Sequence, residues 1–435
     1  MEAVRPQIAG QLEKEKSWWA DHRAVTLSNG LRLISVARPG TPTVAVRAYV
    51  RAGSRYDAEE RLPDSSRPAL GLAHLTEHLL FKGTKSRSQQ EIFAAVERMG
   101  GALNAGTTKE YTTLCAVMPR HDLRVALSVV AELLTEPALR EADVWNEKLV
   151  VLEEIRRARD QQGVIHDLFS QTLWKAHPFR HPVHGTLEAL GELDREALVA
   201  FHRRRYVTGS TVLVVCGDVD HQEVCQLADE AFGSLPAGPE QLPAPVEEAP
   251  LVQPRRAHLS KDIGQMHLLI GVPTVDMGHE DRGPLKLIER VLGMGGSARL
   301  YQRLREETGL VYSVRTVTAH YEDAGIFAVH TACAPQNAAR VEEVVLDEWG
   351  RLGREGVNDE ELDAAKGNYA GTLARRFETN RAMAGIFGVE ALVHQVEPFG
   401  EAVERINAVR SDDVMRAART YLDPGRVVSV SVGRR

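Results

Sequence analysis

A pentapeptide with two histidines and one glutamate is the strongest chemical signal in this sequence of 435 residues. It reads His74-Leu75-Thr76-Glu77-His78 and lies in an apolar run that is compatible with a helix. At about 100° per residue, the two imidazoles and the carboxylate project from one helix face. Histidines at positions i and i+4 can bind one zinc ion from the same side, and the carboxylate then stands beside the open coordination position. The alternative is that both histidines are satisfied residues on a half-buried helix.

A third protein ligand is expected on the strongly helical segment 141–160, because catalytic zinc commonly takes two histidines and one glutamate. This segment carries Glu147, Glu153 and Glu154. Glu147 and Glu154 are seven residues apart and share a helix face, whereas Glu153 points about 100° away. The residue types alone leave the third ligand open among these carboxylates, and each could also be an exposed helical residue without a ligand role.

A proline-rich segment divides the chain. Residues 235–254 carry six prolines and no helical or strand periodicity, which predicts a semi-extended linker. We therefore predict an N-terminal metal-binding domain at 1–234 and a C-terminal domain at 255–435.

The two predicted domains resemble each other in sequence. Lys286 and Arg290 of the second domain occupy the positions of His74 and His78, while Glu77 aligns with Glu289. The metal site is therefore expected in the first copy alone. The matching segments are 71–80 with 283–292, and 195–220 with 411–433.

The hydrophobic pattern predicts the fold class. Apolar alternation indicates strands, and an apolar stripe at helical spacing indicates helices. Strand-like segments lie next to one another with amphipathic helices between the pairs. We predict an α+β fold of two tandem homologous domains, each a largely antiparallel sheet covered by helices. The strand-like segments are 31–38, 43–53, 112–118, 265–272 and 325–333, and the helix-like segments are 88–99, 121–134, 141–159 and 335–353.

Composition excludes several classes of function. The 53 Lys and Arg against 60 Asp and Glu give a net charge of −7, which disfavours nucleic acid as a partner. No apolar run approaches the roughly 18 residues of a membrane-spanning helix, so no membrane insertion is expected. Residues 1–19 lack the basic start and apolar core of a signal peptide.

Four cysteines are too few for a disulfide framework. Cys115, Cys216 and Cys333 lie in apolar strand-like runs, and Cys225 lies in a helix-like segment. We predict that all four are reduced and buried, and that the protein is cytoplasmic.

With these residues in view, the sequence resembles the pitrilysin / mitochondrial processing peptidase family of zinc metallopeptidases, in its short-chain bacterial branch. The resemblance runs from about Ala24 to Gly433. The pentapeptide matches the H-x-x-E-H motif, residues 81–84 (FKGT) match the segment after it, and residues 147–154 match the E-x6-E motif. Thr76 stands where the family more often has an apolar residue, but it lies between the ligands. The family fold, also called LuxS-metallohydrolase-like, is a pair of homologous α+β domains.

The resemblance implies a role for each residue of these motifs. His74, His78 and Glu154 would bind Zn²⁺, and Glu77 would be the general base that takes a proton from the attacking water. Glu147 would be a carboxylate beside the metal that orients ligands and holds protons. The alternative for Glu147 is an ordinary surface glutamate.

Substrate binding is also implied by the resemblance. Residues 100–105 (GGALNA) resemble an edge-strand motif, so that Asn104 and Ala105 would bind an extended peptide as an added β-strand. The alternative for the glycines and Asn104 is turn chemistry at a hairpin. In the second domain, the glycine-rich run 293–296 precedes Arg305 and Tyr312, which would bind the peptide from the side opposite the zinc. The run lacks the G-x-x-x-x-G-K-[ST] pattern of a phosphate loop.

The sequence thus predicts a zinc endopeptidase that cleaves unfolded or extended peptides. A chain with two such domains is expected to form a homodimer, in which the zinc of one subunit faces Arg305 and Tyr312 of the other. A heterodimer with a related subunit is the alternative assembly. The competing function is a catalytically silent peptide-binding or scaffold subunit of the same fold. Six further histidines are expected to have no ligand role, at positions 166, 177, 181, 184, 202 and 320.

Overall fold

The computed structural model describes residues 22–434 except residues 64, 161–162, 395 and 398. The prediction about residues 1–19 lies outside the described residues. Two compact units divide the chain. Among the described residues, the first unit contains those up to 157, 181–245 and 375–400, and the second contains 158–180, 246–374 and 401–434.

Eleven strands and fifteen α-helices are present in the described residues. The strands are β1 His22–Thr26, β2 Arg32–Ala37, β3 Thr43–Val50, β4 Ala102–Thr107, β5 Thr112–Pro119, β6 Thr211–Gly217, β7 Arg255–Ser260, β8 Met266–Thr274, β9 Val311–His320, β10 Gly325–Cys333 and β11 Val428–Gly433. The helices are α1 Leu72–Leu80, α2 Gln89–Glu97, α3 Leu123–Thr135, α4 Glu141–Asp160, α5 Val164–Leu173, α6 Leu187–Glu192, α7 Arg195–Arg205, α8 His221–Phe232, α9 Arg282–Gly293, α10 Arg299–Tyr301, α11 Ala338–Glu355, α12 Asp359–Arg376, α13 Asn380–Leu392, α14 Phe399–Ala408 and α15 Ser411–Tyr421. A π-helical turn, Gln302–Glu307, continues α10.

Each unit is built on one sheet, and five strands have the same order in both sheets, while β1 adds a sixth strand to the first. The first has the order β1-β2-β6-β3-β5-β4, and the second has the order β7-β11-β8-β10-β9. In the first sheet β2 and β6 are parallel and the other neighbours antiparallel, and in the second β7 and β11 are the parallel pair. The α+β fold of two homologous, largely antiparallel copies is therefore confirmed.

Each unit also contains a helix from the other half of the sequence. In the first unit, α13 packs against β3 and β6, and in the second unit, α5 packs against β7, β8 and β11. The compact units consequently have other bounds than the predicted domains 1–234 and 255–435. Those two domains describe the sequence repeat and stay a prediction. Residues 235–254 form no helix or strand, as a linker would.

The cover that α13 provides is close-packed. Tyr49 of β3 is fully buried, and its hydroxyl donates a hydrogen bond to the carbonyl of Gly385 at 3.1 Å. A Cβ atom added to Gly388 would stand 2.0 Å from the Tyr49 ring. Glycine at this position lets the helix lie directly on the aromatic ring.

The cysteines follow the prediction with one exception. Cys115, Cys216 and Cys333 are buried and unpaired. Cys225 is also unpaired but only partly buried, so its predicted burial is wrong. The reason is its place on α8, where Val224, Leu227 and Ala228 form the buried face and Cys225 lies at its margin. None of the described helices has the length and apolar character needed to span a membrane.

Replacement of Gly388 by alanine tests the contact between α13 and β3. The overpacking should cost about 1–3 kcal/mol, more than the roughly 1 kcal/mol that alanine gains in a helix. We expect a lower melting temperature in differential scanning calorimetry. Gly371→Ala in α12 is the matched control: its Cβ meets no atom within 4 Å, so the variant should melt at the wild-type temperature or higher. Equal gains in both variants would contradict the close packing.

Candidate metal centre

The start of α1 is fixed by a buried carboxylate. Asp57 lies in the 3₁₀ turn Ser54–Ala58 and is 1% exposed. Its two oxygens accept the backbone N–H groups of Gly71 at 2.8 Å and Ala73 at 2.9 Å. Burial raises the pKa of Asp57 to about 8, although these two hydrogen bonds lower it. The bonds satisfy backbone N–H groups that the helix leaves free, and they fix the position of the first turn.

Gly71 is required at this point for two reasons. Its φ of +92° lies in the left-handed region, where glycine is favoured. A Cβ atom would also approach the carbonyl oxygen of His184 to 2.7 Å. The loop that ends at Gly185 therefore packs directly on the first turn of α1.

The apolar residues of α1 determine which way the polar ones point. One side of the helix is buried in the hydrophobic core, and His74, Glu77 and His78 occupy the remaining arc. This is the single face that the spacing predicts. The core residues of α1 are Leu72, Ala73, Leu75, Leu79 and Leu80.

Helix α4 brings a carboxylate to the two imidazoles. The Nε2 atoms of His74 and His78 lie 3.9 and 3.6 Å from the same oxygen of Glu154. One ligand atom from each of the three residues lies within 4.8 Å of the others. Tetrahedral zinc, with bonds of about 2.0–2.2 Å, needs ligand atoms about 3.4 Å apart, so small side-chain movements would complete the site. Glu153 instead pairs with Arg156 on the exposed side of α4.

The environment of His74 favours its neutral form. The pKa of His74 is lowered to about 3, mainly by burial and in smaller part by the neighbouring His78 and His184. Neutral imidazole is the form that binds metal ions. Among the described histidine, cysteine, aspartate and glutamate side chains, His74, His78 and Glu154 are the one group of three that lie close enough together to hold a metal ion.

Glu147 orients the second histidine. Its carboxylate lies 3.1 Å from Nδ1 of His78 and 2.6 Å from Nζ of Lys82. An ionised carboxylate can only accept, so Nδ1–H of His78 is the donor and Nε2 keeps its lone pair for a metal. Burial raises the pKa of Glu147, but His78 and Lys82 lower it more, and the net direction is downward. For His78, burial lowers the pKa, but the surrounding carboxylates outweigh it.

Lys82 is a residue to which the sequence assigned no role. It lies in the FKGT segment directly after α1. The signal that could have found it is the need for a cation beside Glu147, which is only 5% exposed. Because that pairing joins residues 65 positions apart in the sequence, no local pattern predicts it.

Glu77 is held by the edge strand of the first sheet. The hydroxyl of Thr107, the last residue of β4, donates a hydrogen bond of 3.1 Å to Glu77. Burial raises the pKa of Glu77, while His78 and Thr107 lower it, and the net direction is upward. A carboxylate with a raised pKa near a candidate metal position is suited to accept a proton.

Asn104 and Ala105 lie in β4, which ends the sheet and pairs with β5. Asn104 is exposed, and its side-chain oxygen accepts the N–H of Ala105 at 2.9 Å. The free side of an edge strand can hydrogen-bond an extended backbone. The strand therefore has the geometry that peptide addition requires, next to the residue that binds Glu77.

The structure brings Arg305 and Tyr312 together in the second unit. Arg305 donates a hydrogen bond to the carbonyl of Tyr312 at 2.8 Å, and its guanidinium lies 4.8 Å from the centre of the Tyr312 ring. The Tyr312 side chain is 76% exposed. Arg305 is in the π-helical turn, and Gly295 of the preceding glycine-rich run has a φ of +106°.

The second copy has an ionic cluster where the first copy has the candidate metal ligands. Glu289, the counterpart of Glu77, lies 3.7 Å from Lys286 and 3.1 Å from Arg290. It also accepts the backbone N–H of Thr318 at 3.0 Å. The positive side chains that took the place of the histidines thus neutralise the remaining glutamate.

Other histidines mostly have structural partners. His202 and His320 lie within hydrogen-bonding distance of backbone carbonyls, and His177 lies near Asp323. His184 differs, because its ring is 4.8 Å from that of His74. It is outside the group of three candidate ligands, as expected, but the sequence did not predict its contact with one of them.

Two family models match the chain. Residues 32–187 match the model described as insulinase (peptidase family M16), and residues 192–369 match the peptidase M16 inactive domain. An uncharacterized zinc protease of Streptomyces coelicolor is 32% identical over 418 residues, which cover 94% of this chain and 89% of that protein. Another from Bacillus subtilis is 30% identical over 396 residues, which cover 91% and 94%.

Solved structures share the fold. The crystal structure of a protease from Helicobacter pylori matches with a TM-score of 0.87 at 24% identity, covering 95% of this chain and 99% of that one. A peptidase M16 inactive domain from Pseudomonas fluorescens also matches with a TM-score of 0.87, at 21% identity, covering 95% and 98%.

Replacement of Glu147 by glutamine tests the orientation of His78. The amide removes the negative charge that holds Nδ1–H, so we expect Zn²⁺ affinity to fall about 10–100-fold. Competition against a chromophoric chelator measures this affinity in the absence of substrate. Glu153→Gln, on the exposed face of the same helix, should bind Zn²⁺ like the wild type. Equal affinities for both variants would contradict the orienting role.

Proposed function

Because the chain belongs to the M16 family of peptidases, which includes insulinase and pitrilysin, we propose that it is a zinc metalloendopeptidase that cleaves unfolded or extended peptides. The observation that carries this proposal is the convergence of both Nε2 atoms of His74 and His78 on one oxygen of Glu154. Two neutral imidazoles and one carboxylate are a common ligand set for catalytic zinc. The metal is accordingly Zn²⁺, as in the names of the bacterial relatives.

When bound, Zn²⁺ supplies a Lewis acid that makes a water molecule acidic enough to lose a proton near neutral pH. Three protein ligands leave a fourth position for that water or for the substrate. Glu147 and Lys82 keep His78 in the tautomer whose Nε2 points at Glu154.

Glu77 is the general base of the proposed mechanism. It lies one residue before His78, on the same face as the ligands, and its side-chain oxygen accepts the Thr107 hydroxyl. Its role is to take the proton from the attacking water and to pass it to the leaving amine. The raised pKa of Glu77, caused by burial, makes it a stronger base than an exposed glutamate.

Strand β4 is the proposed substrate platform. An extended peptide would pair with the free side of residues 104–107, and the N–H of Ala105 would exchange the Asn104 side chain for a peptide carbonyl. Backbone pairing of this kind accepts many sequences and requires an unfolded segment. Thr107 connects the platform to the base, since it ends β4 and binds Glu77.

Arg305 and Tyr312 are proposed to bind the peptide as well. Their mutual stacking supports a preformed surface of one guanidinium and one exposed ring. We propose that the chain forms a homodimer, in which Arg305 and Tyr312 of one copy bind the peptide that is cleaved at the metal centre of the other copy. The heterodimer is the alternative, and sedimentation equilibrium of the purified chain distinguishes one copy from two. A cytoplasmic location is proposed from the four unpaired cysteines.

Replacement of Glu77 by glutamine should abolish peptide cleavage while Zn²⁺ remains bound. The amide is not a base, so we expect kcat to fall at least about 10²–10⁴-fold on an unstructured peptide with a fluorescent reporter. A chelator should abolish wild-type activity, and added Zn²⁺ should restore it.

Glu97→Gln, an exposed position on α2, is the control and should cleave normally. Cleavage that survives in Glu77→Gln or in chelator would refute the mechanism. Absence of cleavage in a Zn²⁺-loaded wild type that still binds the peptide would favour the silent peptide-binding subunit.

Replacement of Thr107 by valine should move the pH profile. The Thr107 hydroxyl stabilises ionised Glu77 and lowers its pKa, so its loss raises that pKa further. A base must be unprotonated to act, so the acid limb of kcat/KM should shift to higher pH. Thr135→Val, at a helix-internal hydrogen bond, should leave the limb in place. A shift to lower pH in Thr107→Val would contradict the argument.

A further inference from the structure

The two histidines of the metal centre are held in different ways. Nδ1 of His78 has the carboxylate of Glu147 at 3.1 Å. Nδ1 of His74 is buried and has no hydrogen-bond partner in the structure. A metal-binding histidine normally has a group that fixes its ring through the second nitrogen. Another interaction must therefore set the orientation of the His74 ring.

The neighbours of His74 that can fix its ring are aromatic. The ring of His78 stands 4.6 Å away at 66°, and the ring of His184 stands 4.8 Å away at 79°. Both arrangements are edge-to-face, the geometry that aromatic pairs prefer. His74 is thus enclosed between a fellow ligand and a residue that is not a ligand.

The backbone of His184 is itself fixed against α1. Its carbonyl oxygen lies where a Cβ on Gly71 would be only 2.7 Å away. Gly185 has a φ of +76°, and a Cβ there would come within 2.5 Å of the nitrogen of Gly71. The N–H of Gly185 also bonds to the carbonyl of Pro182 at 3.1 Å. His184 is therefore supported by the same turn that begins the metal-binding helix.

We propose that His184 is a positioning residue for the metal centre, and that its ring holds His74 in the orientation in which Nε2 meets the metal. For His74, the edge-to-face contact with the His184 ring takes the place of the carboxylate hydrogen bond that fixes the ring of His78. This inference rests on the proposed metal site, and it assigns a role to a loop residue for which the sequence predicted none. What the site requires at position 184 is a flat ring.

The test measures binding of Zn²⁺ alone, without peptide. His184→Ala should lower the affinity for Zn²⁺ about tenfold, because the His74 ring becomes free to rotate. His184→Phe keeps the ring and removes both nitrogens, so it should restore affinity to within about threefold of the wild type. His121→Ala is the matched control, since the same substitution falls on a side chain that is 77% exposed.

A second readout separates positioning from general stability. Co²⁺ bound in place of Zn²⁺ has a visible spectrum that depends on ligand geometry. That spectrum should change in His184→Ala and return in His184→Phe, while the melting temperatures of the metal-free proteins stay equal. If both variants bind Zn²⁺ like the wild type, or if His184→Phe is as weak as His184→Ala, the proposal is wrong. Failure of the wild type itself to bind Zn²⁺ would instead refute the proposed function.

Discussion

The carboxylate of Asp57 at the start of α1 is the interaction on which the candidate site depends. Two hydrogen bonds to this buried side chain, each worth about 0.5–1.5 kcal/mol, fix the first turn of a nine-residue helix. A helix fixed at one end has a defined rotation about its axis, and that rotation directs His74, Glu77 and His78 toward α4. The loop at His184 packs on the same turn. The first turn of α1 therefore determines the positions of the candidate ligands His74 and His78 and of His184 beside them.

The equivalent helices α1 and α9 differ in how the charge of their shared glutamate is compensated. In the first unit, Glu77, Glu147 and Glu154 surround two imidazoles, and Lys82 pairs with Glu147. Buried carboxylates without compensation are costly, and a bound Zn²⁺ would supply positive charge beside these three. In the second unit, Lys286 and Arg290 neutralise Glu289 directly. The equivalent helices thus carry a candidate metal-binding set in the first copy and a neutralised glutamate in the second, where Lys286 and Arg290 stand at the positions of the two histidines.

Local patterns predicted the parts of the molecule that depend on local geometry. The helical period placed His74, Glu77 and His78 on one face, and alternation located five of the described strands, β2, β3, β5, β8 and β10. The period could not choose between Glu153 and Glu154 as ligand, and the resemblance supplied that choice. Thr107, Lys82 and Asp57 act through pairs of residues distant in sequence, which no periodicity encodes. Likewise, an apolar helix such as α13 must be buried, but its pattern does not say on which sheet.

The placement of α13 on the first sheet has a consequence for synthesis on the ribosome. The last strand of that sheet ends at Gly217, but the helix that covers β3 and β6 ends at Leu392, about 175 residues later. At about 5–20 residues per second, the apolar face around Tyr49 stays uncovered for about 9–35 s after its strands have emerged. The nascent chain therefore needs a temporary cover for this face, and the first unit can close only when most of the second has been translated.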